Sequence, residues 1–89
     1  MLDFTDAQEM HKLHPETFDA PSKKELNALK VDDIVKVSHF NERFWNSIIA
    51  IKGNKIKATV DNAVFCNQPF KLGDVIEFEK RHIYDIWTK

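Results

Sequence analysis

Two histidines three residues apart, a single cysteine, and three lysines near an aromatic pair are the residues of this 89-residue chain whose types could do chemistry. His11 and His14 in "MHKLHPE" would share one face of a helix, the spacing of some metal-binding pairs. Two ligands do not complete a site, and no cysteine or acid stands at a recognisable spacing from them, so solvated histidines at a helix end are the favoured reading. To act as a nucleophile, Cys66 in "VFCNQPF" would need a base such as His39 or His82 within hydrogen-bond reach, and a source of oxyanion stabilisation. The sequence shows neither, and a buried or half-buried loop cysteine is the simpler account. G-x-G-x-x-G, Walker A, H-E-x-x-H and G-x-S-x-G are all absent, and Gly53 and Gly73 alone cannot build a glycine-rich phosphate cradle. The expectation is a non-enzymatic protein with no catalytic residue, no metal and no cofactor.

What remains is recognition. Lys52, Lys55 and Lys57 gather near Arg43 and Phe44, a basic patch with a stacking aromatic of the kind that single-stranded nucleic acid uses. Thirteen Lys and Arg against fourteen Asp and Glu leave a net charge of −1, so no global field draws the chain to DNA or anionic lipid, and any such binding is local. The connection "DNAVFCNQPFK", Asp61 to Lys71, holds Phe65 and Phe70 between turn residues; beside Arg43 and Trp87 it is the first choice of interaction surface. The competing reading has Phe65 or Phe70 fold back to plug the end of a small β-barrel.

These residues need elements to position them. The apolar share of 43% and charged share of 30% are those of a globular domain and not of a disordered chain, and the length suits one domain, 1–89. Thr5 with Gln8 makes a capping-box pattern for a short helix that must end by His14, ahead of Pro15. Ser22 with Glu25 makes a better one, predicting helical turns from about Lys23 to Ala28. Asp33 to Phe40 reads as a first strand, with Val35 and Val37 alternating against Lys36 and Ser38. Arg43 to Lys52 and Lys55 to Asn62 read as a tight hairpin across Gly53-Asn54, with positive φ at Gly53.

Pairing Lys52 with Lys55 and continuing without interruption places Trp45, Ile49, Ile51, Ile56, Ala58 and Val60 on one buried face. Phe44 then falls on the opposite, mixed face, covered at most by the N-terminal segment through Phe18, Leu26 and Leu29. "LKVDDIVKV" and "FKLGDVIEF" match class for class, which predicts the same turn before two strands, with Gly73 taking a positive φ that Asp32 would take at a cost. After "IEFEKRHIYDIW" bends near "KRH", a last short strand would hold Ile83 and Trp87.

The segment "ERFWNSIIAIKGNKIKATVDN…FKLGDVIEFEKRHIYDIW" resembles an uncharacterised family of small bacterial and phage domains with an "RFW" strand, a Gly-containing hairpin and a "GD" turn in this order. The resemblance implies a small, mainly β, SH3-like five-stranded barrel over 32–89, preceded by a helical or extended cover over 1–31. It implies no activity. The single cysteine and the lack of a signal-peptide pattern point to a cytoplasmic protein with no membrane partner. The expected function is a protein-interaction adaptor or inhibitor, binding another protein or a copy of itself. Single-stranded nucleic-acid binding through the hairpin lysines and capture of a small anionic nucleotide near Arg43 are the alternatives.

Overall fold

The computed structural model describes residues 4–16, 19–39, 42–62 and 68–87. Helices α1 (Ala7–Leu13) and α2 (Lys23–Asn27) precede strands β1 (Ile34–His39), β2 (Glu42–Lys52), β3 (Lys55–Val60), β4 (Val75–Glu79) and β5 (Asp85–Trp87), with a 3-10 turn, Lys80–His82, between the last two. The strands form one antiparallel sheet in the order β4-β3-β2-β1-β5. Among the described residues no pairing joins β4 to β5, so the sheet is open and not a closed barrel.

The helices start where a side chain satisfies free backbone donors. At α2 the capping box forms: Ser22 Oγ accepts from the Glu25 amide and Glu25 Oε1 accepts from the Ser22 amide. At α1 the cap is Asp6, whose carboxylate accepts from the Glu9 amide at 3.0 Å, and not the expected Thr5. The Thr5 amide instead donates to the Ser38 carbonyl, continuing the bridge between Phe4 and His39 that ties the N-terminal segment to β1. Leu26 is buried and Leu29 packs against the core as expected of a cover, joined by Phe4 and Ala7. Phe18 lies outside the described residues.

The turns before β1 and β4 are the same turn bond for bond. The Lys30 amide donates to the Asp33 carboxylate and the Lys71 amide to the Asp74 carboxylate, each at 3.0 Å. Asp33 and Asp74 in turn donate their amides to the Lys30 and Lys71 carbonyls. Asp32 and Gly73, at φ +80° and +90°, donate to the Ile48 and Val60 carbonyls, each at 2.8 Å. The Ile48 and Val60 amides return bonds of 2.9 Å to the Asp33 and Asp74 carbonyls. Both acids are therefore structural, and one turn-then-strand unit flanks each side of the β2–β3 hairpin.

The hairpin turn is as expected, with Gly53 at φ +61° and Lys52, Ile51 and Ala50 opposite Lys55, Ile56 and Lys57. Beyond it the uninterrupted register fails. A β-bulge at Ile49 shifts the pairing so that Ile48 meets Ala58, Ser47 meets Thr59 and Asn46 meets Val60. An extra residue inverts every side chain beyond it. Phe44, Asn46 and Ile48 are buried, at no more than 1% exposure, while Trp45 is half-buried and Ile49 is 44% exposed. The expected placement of Trp45 and Ile49 in the core, with Phe44 outside it, is thus reversed.

The inner face carries Phe44, Ile48, Val35, Val37, Ile56, Val60 and Phe78, closed over by Phe4 and Phe70. Phe70 packs 5.0 Å from Phe44 and 6.4 Å from Phe4 between ring centroids, so it plugs the core. Ile83 is fully buried but precedes β5, and Trp87 ends that strand half exposed.

Candidate interaction surface

Because the bulge turns Trp45 outward, the solvent face of the sheet acquires an aromatic and cationic cluster. Trp87 pairs with Ile34, Ile34 with Ser47, Ser47 with Thr59 and Thr59 with Val75, so these five residues form one row across all five strands. Its two ends are the exposed ones, Trp87 at 50% and Val75 at 56%. In the adjacent row Asp85 pairs with Lys36 and Lys36 with Trp45. Ile49 and Ala50 are exposed in succession at the bulge, as two residues facing one partner position require.

Lys36 is the centre of this face. Its Nζ stands 4.5 Å from the centroid of the Trp45 ring and 5.7 Å from that of Tyr84, and the Arg43 guanidinium lies 4.9 Å from the Tyr84 centroid. Each geometry is a cation–π contact. Tyr84 is held by its amide, which donates to the Lys36 carbonyl. Burial pushes the Tyr84 phenol up to about 12, against the lowering effect of Arg43, so it stays protonated throughout the neutral range.

The site residues expected from sequence divide between this face, the core and the hairpin end. Arg43 and Trp87 are exposed on the solvent side. Phe44 and Phe70 are core residues and present no binding surface. Lys52, Lys55 and Lys57 are exposed around the end of the hairpin, with Lys57 3.5 Å from Glu77. Phe65 and Cys66 lie outside the described residues. No sequence signal marks Lys36, Trp45 and Tyr84 as site residues: β1 alternation puts Lys36 on the face opposite Val35 and Val37, but Trp45 joins it only through a bulge that no Gly or Pro marks.

The histidines have structural surroundings. His39 is buried between the rings of Phe4 and Phe70, at 5.2 and 5.5 Å, and its Nδ1 donates to Gln68 Oε1, while Gln68 Nε2 donates to the His39 carbonyl and to Glu42. His82 Nδ1 accepts from the Glu79 amide at 2.9 Å, closing the 3-10 turn. His14 caps the end of α1, where His11 lies in the last turn. Among the described residues no three His, Cys, Asp or Glu side chains cluster to hold a metal, and no helix is long and apolar enough to cross a membrane.

Compared with known proteins, the chain matches no family model, no curated protein and no solved structure.

Proposed function

We propose that this chain is a non-catalytic binding module whose solvent-facing sheet surface docks another protein. The observation that carries the reading is the gathering of Trp45, Tyr84, Trp87, Arg43 and Lys36 on one exposed face. Tryptophan, tyrosine and arginine are the side chains that dominate protein–protein binding energy, because each combines large apolar area with a directed polar group. The two cations favour a partner segment that brings acidic groups beside its apolar ones.

The same reading takes the curled sheet as an SH3-like barrel left open between β4 and β5. An 11-residue β2 with a bulge in its second half supports it, since a bulge increases local twist and lets one long strand bend around a core. So does β1, which pairs with both β2 and β5.

A second reading, single-stranded nucleic-acid binding, draws on the same cluster, since aromatic rings beside cations also stack and hold unpaired nucleotides. The test compares the wild type with Ile49→Ser/Trp87→Ser, which alters two exposed side chains and leaves the core intact. Protein retained from lysate by the wild type and lost by the variant at equal circular dichroism supports the module. A mass that doubles in light scattering and returns to monomer in the variant makes a second copy the partner. A strict monomer retaining no protein, or a protein retained equally by both forms, overturns the reading. Oligonucleotide affinity that falls steeply with salt replaces it with the second.

A further inference from the structure

A cavity of about 300 Å³ lies at the far end of the β2–β3 hairpin, distinct from the Lys36 cluster. It exists there because β2 outruns its neighbour: β1 pairs with β2 only from Glu42 to Ser47, so among the described residues the end of β2 has a strand on one side alone. The bulge at Ile49 adds twist within that overhang. The apolar lining is Phe4, Ala50, Ile56 and Phe78, of which Phe4 and Phe78 meet edge to face at 5.7 Å between centroids. A volume of this size is at the small end of ligand pockets, room for a fused two-ring molecule.

The charges around it are unbalanced in one place. Lys57 is paired with Glu77 and Glu79 with Arg81. Lys52 and Lys55 also line the cavity, and they sit directly opposite each other across the ladder. Like charges at facing positions of an antiparallel pair are destabilising; on its other side Lys55 faces Glu79, but that carboxylate pairs with Arg81, and among the described residues neither lysine has a carboxylate within ion-pair distance. An anion between them would relieve that repulsion. His82, a further lining residue, uses Nδ1 to accept the Glu79 amide, so its neutral ring carries its proton on Nε2 as a donor.

We propose that this cavity is a binding site for a small aromatic carboxylate, its ring system against Phe4 and Phe78 and its carboxylate between Lys52 and Lys55. Apart from Ala50 at the bulge, the site shares no side chain with the docking face, and each can fail without the other.

The experiment titrates isotope-labelled protein with 2-naphthoate and, as a neutral isostere, 2-naphthamide, following backbone amide shifts by NMR. Naphthoate should move the amides of Ala50, Ile56 and Phe78 saturably. Naphthamide should bind about tenfold more weakly, as should naphthoate to Lys52→Gln/Lys55→Gln, because each removes one side of a charge-assisted contact. Ala50→Phe, which fills the cavity from its wall, should abolish the shifts while leaving the sheet signals in place. The proposal is overturned by no saturable shift at these amides up to low millimolar naphthoate. Equal affinity for acid and amide, or unchanged affinity in the double lysine variant, overturns it equally.

Discussion

The rings of Phe44 and Phe70 lie 5.0 Å apart in the core, while Trp45, the next residue along β2, stands on the other side of the sheet with the Lys36 ammonium over its face. Adjacent strand residues point to opposite faces, so one contact decides the other. Phe44 is 1% exposed, and Phe44→Ala should cost on the order of 3 to 5 kcal/mol, a large part of a small domain's stability. Trp45→Ala gives up half-buried area and one cation–π contact, and should cost roughly 1 to 2 kcal/mol. Urea melts followed by far-UV circular dichroism compare the two; a costlier Trp45 substitution would contradict the bulge at Ile49.

The paired turns make a reciprocal prediction. Asp32 holds φ +80° where its counterpart Gly73 holds +90°, and only glycine occupies that region without a steric penalty. Asp32→Gly should stabilise the domain by about 0.5 kcal/mol, the relief of strain being partly offset by a more flexible unfolded chain. Gly73→Ala should cost about 1 to 2 kcal/mol, all of it from the backbone, because a Cβ there meets nothing within 4 Å. Thermal melts of both variants read the two signs, and a loss on Asp32→Gly would count against the equivalence.

His82 couples stability to pH. Its burial, and next the Arg81 guanidinium, hold its pKa below the ordinary 6.5, with Glu79 and Asp6 opposing. Between the lowered folded value and the ordinary value, the unfolded chain binds more protons than the folded one, so stability rises with pH across that window. The contribution is complete above about pH 6.5 and is lost as pH falls toward the folded value. Protonation also removes the Nδ1 acceptor from the Glu79 amide. Urea midpoints at about pH 5 and about pH 7.5 should differ more for the wild type than for His82→Gln, and identical pH dependence in the two would refute the assignment.

Local chemistry made much of the fold readable. Ser22 and Glu25 mark a helix start because the two side chains satisfy two backbone donors without help from the rest of the chain. Gly53-Asn54 marks a hairpin because few residues accept positive φ there, and the Asp33 and Asp74 turns close within four residues of their own sequence. Each of these is decided by bonds of short span, so the sequence by itself determines it.

The facing of β2 is of another kind. Continuous alternation from the turn puts Trp45 inside, and the residues around Ile49 carry no Gly or Pro to say where alternation breaks. The bulge satisfies contacts made at a distance: Ile48 must bond the Asp33 turn, and Phe44 must meet Phe70, 26 residues on in the chain numbering. Burying Phe44 and Ile48 on the same face as Ile51 and Ile56 is possible only if one residue of β2 is left out of the ladder. That choice belongs to the packed whole, and with it went the surface cluster of Lys36, Trp45 and Tyr84, which exists only because tertiary packing turned one tryptophan outward.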